Sequence, residues 1–476
     1  MGKMQNNFSF IILGATGDLA QKKLFPALHG LIRMNRTGND FCIIGTGRKD
    51  FSREEFAGLV KSNIPKLHED SWKRLEERLY YHAVDFGRPE NGFKSLQQYL
   101  STTEKAHNAG ENRLFYLATL PSHFKSIAYS LRKHGLTETK GWCRLVFEKP
   151  FGSDEKTARE LNREIRKVFD EKQIYRIDHY LGKELVQSIG ILRAGNRIFS
   201  PIWNSENIDH VQINLIEDFG IGNRGNFYDN QGALRDVGQN HLLQLLCLIA
   251  MEIPARFDEK CIRNEKVKVL RKVKLSARDA VLGQYEGYSS EPGVGSGSKT
   301  ETFFALKATI GNKRWKGVPF YLRSGKNLGR KFASIYIQFK EPNYTVFHNQ
   351  RLNPNYLVIQ IQPDDGMLVQ LNGKVPGEKL KVMPVKMTFC HECAFGPNTP
   401  QAYETLLFEA LQGDQSAFVR SDEVELSWKT IDKVTKKRPV LHPYAKGSMG
   451  PKEADEMIAK DGREWFNRIE NVVQGL

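Results

Sequence analysis

Cysteines and long hydrophobic runs are both scarce in this sequence. It contains six cysteines among 476 residues, whereas a small secreted domain is stapled by a far denser set. It contains no run of 18 apolar residues, and its first apolar run, residues 8–13, is too short for the core of a signal peptide. We therefore expect a cytoplasmic protein without a disulfide scaffold, a lipid anchor or a membrane partner.

Acidic residues are also outnumbered, with 55 Asp and Glu against 70 Lys and Arg, and the formal net charge is +15. A surface of this charge attracts anions, so the ligand could belong to any of three classes: nucleic acid, anionic membranes or small phosphorylated molecules. The basic residues are dispersed without a recognisable nucleic-acid-binding module, and we expect no nucleic-acid partner. With 40% hydrophobic residues, the chain is typical of a soluble globular protein of two or three domains.

The first third of the sequence alternates between strand-like and helix-like segments. Residues 8–13 are continuously apolar, as in a buried parallel strand, and residues 18–34 carry apolar side chains at helical spacing. Further strand-like runs lie at residues 41–45, 79–84, 114–118 and 144–147. This alternation predicts an α/β fold with a Rossmann-type, doubly wound parallel sheet.

From about residue 211 the pattern changes to short alternating runs separated by turns. Seven such runs, from VQINLI at 211–216 to VMPVKMTF at 382–389, predict a large, mainly antiparallel sheet. Helical patterns at residues 232–251 and 402–411 flank these runs. We therefore expect two domains, an N-terminal α/β domain at residues 1–176 and a C-terminal α+β domain at residues 177–476.

A glycine-containing turn follows the first predicted strand. It consists of Gly14, Ala15, Thr16, Gly17, Asp18 and Leu19. Its G-x-x-G-x-x-A spacing is a variant of the dinucleotide-binding pattern, in which Gly14 permits the tight turn and Gly17 lets backbone amides approach a pyrophosphate. A glycine turn without a ligand is the alternative. Where an NAD site has an acidic residue after the second strand, the sequence has Arg48 and Lys49, so we expect NADP as cofactor, with NAD as a weaker alternative.

A second cluster, residues 176–184, reads RIDHYLGKE. It places a carboxylate, an imidazole, a phenol and an ammonium close together, and it has too few apolar residues for a core segment. A solvated charged segment is the alternative, although a plain surface helix favours Ala, Glu and Lys over this composition. The cluster is therefore a candidate for catalysis or binding.

These two segments resemble the coenzyme loop and the active-site segment of the glucose-6-phosphate dehydrogenase family. The resemblance continues in family order through NRLFYLA (112–118), EKPFG (148–152), GNFYDNQGALRDVGQNHLLQ (225–244), GVPFYLRSGKNL (317–328) and YAKGSMGPKEAD (444–455). It implies hydride transfer from C1 of glucose 6-phosphate to NADP, giving 6-phosphogluconolactone, the first oxidative step of the pentose phosphate pathway. It also implies a homodimer or homotetramer built through the large sheet. A Rossmann oxidoreductase that acts on a different sugar is the nearest alternative.

The resemblance also implies roles for individual residues. His241 is the base that takes the proton of the C1 hydroxyl, and Asp178 orients its imidazole. The residues implied for the substrate are His179 and Lys183 at the phosphate, Glu217 and Asp236 at sugar hydroxyls, and Lys149, Lys326 and Lys331 as further cations. The residues implied for the cofactor, besides the turn at 14–19, are Arg48, Asp85, Tyr116 and Lys149. No metal ion is expected. From the residues alone, His241 is equally a core histidine, and Lys331 a solvated surface residue.

Pro150 follows Glu148 and Lys149 in a turn where we expect a cis peptide bond. Three residues depart from the pattern of the family. Gln21 stands where a lysine is common and removes one charge that attracts phosphate, while Leu120 and Asp218 stand where prolines are common.

Cys390 and Cys393 lie in a Cys-His-Glu-Cys segment that resembles half of a zinc site. A structural zinc site needs four ligands, and the sequence contains no second C-x-x-C pair. We therefore expect two free thiols at these positions.

Overall fold

The computed structural model describes residues 7–87, 89–341, 352–396, 399–437 and 439–470. Strands and helices alternate in the first part of the chain. The strands are β1 (Asn7–Leu13), β2 (Asp40–Gly47), β3 (Leu79–Ala83), β4 (Arg113–Leu117), β5 (Cys143–Glu148) and β6 (Ile174–Ile177). The helices are α1 (Phe25–Arg33), α2 (Arg53–Ser62), α3 (Glu69–Glu76), α4 (Pro89–Ala106), α5 (Phe124–Lys133) and α6 (Glu155–Arg166).

These six strands form a parallel sheet in the order β6-β5-β4-β1-β2-β3. The central strand β1 is apolar because both of its faces are covered, and Phe10 and Ile12 are fully buried. The strand order reverses at β1, and in such sheets ligands bind beyond the carboxyl ends of the strands at the point of reversal. The predicted doubly wound sheet is confirmed, and all five strand-like runs form strands.

The second part of the chain contributes the remaining elements. The strands are β7 (Ile208–Ile216), β8 (Val273–Lys274), β9 (Ala280–Tyr285), β10 (Phe303–Ile310), β11 (Phe320–Gly325), β12 (Phe332–Phe339), β13 (Tyr356–Gln362), β14 (Gly366–Lys374), β15 (Val382–Cys390), β16 (Phe418–Val419) and β17 (Leu441–Tyr444). The helices are α7 (Glu184–Gly195), α8 (Gly225–Tyr228), α9 (Leu243–Ala250), α10 (Glu259–Leu270), α11 (His391–Phe395), α12 (Ala402–Gln412), α13 (Ser421–Thr435) and α14 (Lys452–Ala459).

The second sheet has the order β15-β14-β13-β12-β7-β11-β10-β9-β17, and β8 pairs with β10. Neighbouring strands are antiparallel except at the pairs β7–β11 and β9–β17, so the prediction of a mainly antiparallel sheet is confirmed. The seven predicted runs all lie on strands of this sheet. The two-residue strand β16 instead joins the edge of the first sheet, antiparallel to β6.

One hydrophobic core runs through both sheets, from Ile12 on β1 to Ile335 on β12, and it includes Leu246 on α9. The helix predicted at residues 232–251 is present as a wide helical segment, Leu234–Leu242, that continues directly into α9. The Leu234–Leu242 part of this helix packs against β7 and β11 of the second sheet and against α13, which fixes the position of its polar residues. Among the described residues, no helix is both long and apolar enough to cross a bilayer.

The expectation of free thiols at Cys390 and Cys393 is wrong. The two residues form a disulfide, while the other four cysteines are free. Cys390 ends β15 and Cys393 lies in the first turn of α11, so the strand-to-helix turn places their Cα atoms 5.2 Å apart, within the range of a disulfide. The absence of a second C-x-x-C pair excludes a four-ligand zinc site but does not keep the two thiols apart, because the turn brings them together.

Candidate active site

A cavity of about 430 Å³ lies between the two sheets. Seven of the residues predicted from the sequence line it: Lys149, His179, Glu217, Asp236, His241, Lys326 and Lys331. They reach it from five separated segments, and most of them lie just beyond the ends of strands β5, β6, β7 and β11. The cavity therefore adjoins the carboxyl edge of the parallel sheet, where this fold type binds ligands.

Strand β5 ends at Glu148, and the next residue, Lys149, points into the cavity. The peptide bond between Lys149 and Pro150 is cis, as predicted. A second cis bond, between Gln362 and Pro363, follows another residue of the cavity wall and was not predicted from the sequence.

Asp178 and His241 form a buried pair, each about 2% exposed. His241 Nδ1 lies 2.5 Å from Asp178 Oδ1, which also accepts a hydrogen bond from the Tyr180 amide at 3.0 Å. Burial opposes the charge of Asp178, but the neighbouring His241 and its hydrogen bond outweigh burial and lower the pKa of Asp178 to about 2. Burial lowers the pKa of His241, against the influence of Asp178. At neutral pH the pair is therefore a carboxylate beside a neutral imidazole whose Nε2 is free to accept a proton.

Two ion pairs line the same cavity as His241. Lys149 Nζ donates to the backbone oxygen of Asp236 at 2.6 Å and to Asp236 Oδ1 at 3.0 Å. Lys326 Nζ lies 2.7 Å from Glu217 Oε2 and is only 2% exposed. Burial opposes the charge of Asp236, but Lys149 and Lys326 outweigh it and lower its pKa to about 2. The wall thus combines two carboxyl groups, which accept hydrogen bonds, with two lysine side chains that donate them.

Of the two residues predicted for the phosphate, His179 lines the cavity. Burial lowers the pKa of His179 well below its usual value, with a further contribution from His241, so the unliganded side chain is a neutral hydrogen-bond donor. Lys183 precedes α7 and does not line the cavity itself. Burial lowers the pKa of Lys183, while Asp365 raises it and Lys331 lowers it further. Lys331 is exposed and makes no hydrogen bond or ion pair with the described part of the chain.

The turn at residues 14–19 lies between β1 and the first helix and fits a dinucleotide. Gly14 has a φ of +99°, and a Cβ there would lie 2.6 Å from the Ala118 carbonyl oxygen, so only glycine is accommodated. The amides of Gly14 and Ala15 donate to the carbonyl of Thr46, which ties the turn to β2. Gly17 and Asp18 are exposed at the helix start, where backbone amides can face a pyrophosphate.

The other predicted cofactor residues differ in accessibility. Arg48 is exposed directly after β2 and makes no hydrogen bond or ion pair within the described ranges. Asp85 is exposed after β3, and its Oδ1 accepts from the Gly87 amide. Tyr116 is fully buried within β4, and its hydroxyl donates to Glu148 Oε1 at 2.6 Å. Tyr116 therefore does not line the cavity itself but is bonded to Glu148, which does.

Several residues of the cavity wall were not selected from the sequence. Glu148 precedes Lys149 in the EKPFG motif. Its carboxylate accepts hydrogen bonds from the hydroxyls of Tyr116 and of Tyr403 on α12. Burial raises the pKa of Glu148, although both phenols oppose this change. Phe219 follows Glu217 by two residues, which is a signal that could have identified it. Gln362 comes from the end of β13, and only the pairing of the large sheet brings it here.

The three departures from the pattern of the family have different environments. Gln21 is buried, and its Nε2 donates to the Ala15 carbonyl at 2.7 Å, so this side chain supports the turn instead of facing a phosphate. Leu120 is 67% exposed, and Asp218 is exposed beside the cavity wall.

Comparisons with known proteins agree with this geometry. Residues 11–188 match the family model "Glucose-6-phosphate dehydrogenase, NAD binding domain", and residues 190–466 match "Glucose-6-phosphate dehydrogenase, C-terminal domain". The chain is 42% identical to a glucose-6-phosphate 1-dehydrogenase of Bacillus subtilis (strain 168), with 96% of this chain and 98% of that protein covered. It is 41% identical to the enzyme of the same name from Chlamydia muridarum, covering 96% of each.

A solved structure titled as glucose-6-phosphate dehydrogenase in complex with its substrate glucose-6-phosphate also matches. Its TM-score is 0.92 at 35% identity, over 98% of this chain and all of that chain. The resemblance seen in the motifs is thereby confirmed: the chain belongs to the glucose-6-phosphate dehydrogenase family, oxidoreductases that act on a CH–OH group.

Proposed function

We propose that the protein oxidises glucose 6-phosphate at C1 to 6-phosphogluconolactone, with NADP as the hydride acceptor. The observation that carries this proposal is the Asp178–His241 pair, whose imidazole lines a cavity that also contains the cations Lys149, Lys326 and Lys331. A base, an anion-binding surface and a nucleotide turn are the three parts that this reaction requires.

His241 is the general base in this proposal. Its Nδ1–H donates to Asp178, so the lone pair of Nε2 faces the cavity and takes the proton of the C1 hydroxyl. The bound nicotinamide supplies the hydride acceptor. As the imidazole becomes positively charged, the Asp178 carboxylate at 2.5 Å stabilises the charge. Because the pair is buried, bulk water does not screen this interaction.

In this proposal the two ion pairs of the cavity wall, Lys149–Asp236 and Lys326–Glu217, bind and orient the sugar. Asp236 and Glu217 accept hydrogen bonds from sugar hydroxyls, while their ion pairs with Lys149 and Lys326 hold the two carboxylates in place. Lys149 directly follows β5 and pairs with Asp236, and the proposal assigns it to the nicotinamide as well as to the substrate. The proposal assigns the phosphate to His179, Lys326 and Lys331 on the cavity wall and to Lys183, whose Nζ lies 5.6 Å from the ring of the wall residue Tyr180.

The preference for NADP follows from the end of β2. Arg48 is exposed there without a partner among the described residues, and it is free to bind a 2′-phosphate. In an NAD site, an acidic residue at the end of this strand would bind the ribose hydroxyls. Residues 46–48 are Thr, Gly and Arg, so none of them supplies a carboxylate. NAD is accommodated as a weaker alternative, and Asp85 and Tyr116 complete the cofactor side of the proposal.

The proposal includes a homodimer or homotetramer that forms through the large sheet, in the cytoplasm. Strand β15 is an edge strand, and exposed apolar side chains lie on it and on β14: Leu371, Met383, Val385 and Met387. An exposed apolar sheet edge is a site for association. The division into a nucleotide-binding domain at 1–176 and a substrate-binding domain at 177–476 belongs to the same proposal.

The test is the absorbance of reduced nicotinamide with glucose, glucose 6-phosphate and other hexose phosphates, each with NAD and with NADP. We expect the highest kcat/KM with glucose 6-phosphate and NADP, and no rate with any hexose phosphate would refute the function. Arg48→Ala should raise the KM for NADP at least tenfold with little effect on NAD. Lys73→Ala, which removes an exposed cation on α3, is the matched control and should change neither.

A further inference from the structure

Phe219 lies at the mouth of the cavity and contacts both lysines that come from the loop after β11. Its side chain is 45% exposed although it is large and apolar. Lys326 Nζ lies 5.3 Å from the ring centroid, and Lys331 Nζ lies 5.6 Å from it. A ring face attracts ammonium groups electrostatically within about 6 Å, so both lysines are within range.

The backbone holds the ring in this position. Three hydrogen bonds join the loop after β7 to the loop after β11: Glu217 N to Gly325 O, Leu328 N to Glu217 O, and Asn327 N to Phe219 O, each 3.0 Å long. Because the loops are bonded to each other at three points, the backbone of Phe219 is held in place relative to residues 325–328, which include Lys326. The ring is therefore part of the cation-bearing wall and not an independent surface residue.

The two lysines differ in what else holds them. Lys326 is buried, pairs with Glu217 and also faces the ring of Tyr228 at 5.2 Å. Lys331 is exposed, has no ion pair within the described ranges, and repels Lys183, whose pKa it lowers. A free lysine side chain loses rotamer entropy when it is held in one place, and like charges nearby favour its turning away into solvent. The Phe219 ring is the contact that opposes both effects.

We propose that Phe219 is a positioning residue, whose ring holds Lys326 and Lys331 at the cavity to receive the anionic end of the substrate. This inference rests on the proposed function, because it assigns the two lysines to the phosphate of glucose 6-phosphate. The ring neighbours of His241 are His179 and Tyr180, whereas Phe219 contacts the two lysines, so we expect Phe219 to act on binding of the phosphate and not on proton or hydride transfer.

The first experiment compares Phe219→Leu, which keeps apolar bulk, with Phe219→Tyr and Phe219→Trp, which keep an aromatic face. Two cation–ring contacts at the solvent-exposed Phe219 ring predict a rise of about 5- to 30-fold in the KM for glucose 6-phosphate for the leucine variant. Its kcat and its KM for NADP should stay within about twofold, and the aromatic variants should resemble the wild type. Phe227→Leu is the matched control, because Phe227 is 40% exposed on the same wall and contacts no described cation.

The second experiment distinguishes electrostatic positioning from simple packing. Phenylalanines with one, two or three ring fluorines keep the shape at position 219 but progressively weaken the negative ring face, so log KM should rise with each fluorine. The dissociation constant of inorganic phosphate, measured by calorimetry, should rise in the same order without any need for turnover.

An unchanged KM and phosphate affinity in Phe219→Leu, or a flat fluorine series, would overturn the inference. An equal loss in Phe227→Leu would overturn it as well, because it would indicate general packing at the cavity mouth. If the wild type oxidises no hexose phosphate, the proposed function fails. The phosphate titration then still decides whether the ring positions the two lysines.

Discussion

Replacement of Asp178 by asparagine tests the electrostatic core of the proposed mechanism. The carboxylate accepts from His241 Nδ1 at 2.5 Å, which places the two centres of charge about 4 Å apart when the imidazole is protonated in the transition state. At an effective dielectric constant of about 20, a unit charge pair at this distance is worth about 4 kcal/mol. Since about 1.36 kcal/mol corresponds to a tenfold change in rate, we expect Asp178→Asn to lower kcat about 10³-fold.

The same substitution has a predicted effect on the pH profile. Burial lowers the pKa of His241 and Asp178 raises it, so removal of the carboxylate lowers the pKa further. The wild-type kcat/KM should rise with pH through an apparent pKa below the usual histidine value of about 6.5, because the base must be unprotonated. In Asp178→Asn the acidic limb should move to still lower pH.

The assay is steady-state kinetics with glucose 6-phosphate and NADP from pH 5 to 9. Asp432→Asn is the control, because Asp432 is also buried, at 5% exposure, but lies outside the cavity wall. The control should keep kcat within about twofold and should not move the acidic limb. A kcat of Asp178→Asn within tenfold of the wild type, or an acidic limb displaced to higher pH, would refute the assignment of charge stabilisation to Asp178.

Three further predictions concern the base, the coenzyme turn and the cysteines. His241→Asn should lower kcat by about 10²- to 10⁴-fold while the KM for glucose 6-phosphate changes little, and a near-normal kcat would exclude His241 as the base. Gly14→Ala should raise the KM for NADP and destabilise the protein by about 1–3 kcal/mol in chemical denaturation, because φ is +99° and the new Cβ would lie 2.6 Å from a carbonyl oxygen; wild-type stability would contradict this geometry. Thiol titration of the denatured protein should give four thiols without reductant and six with it, whereas six in both cases would exclude the Cys390–Cys393 disulfide.

The sequence by itself determined the two sheets and the position of the coenzyme turn. Continuous apolar runs such as residues 8–13 and alternating runs such as 211–216 report which faces of a strand are buried, and this information is local. The conformation of Gly14 is equally local, since only glycine adopts it without strain. Resemblance to a family then selected His241 and Asp178, which the local pattern around His241 could not distinguish from core residues.

Only the tertiary structure decided which of the selected residues meet. Asp178 and His241 are 63 residues apart and Glu148 and Tyr403 are 255 apart, yet each pair is joined by a hydrogen bond. The side chain of Gln21 turns inward to the coenzyme turn, and the exposed ring of Phe219 lies against two lysines. Such contacts depend on how distant segments pack around a shared core, whereas periodicity and spacing report only on neighbours along the chain.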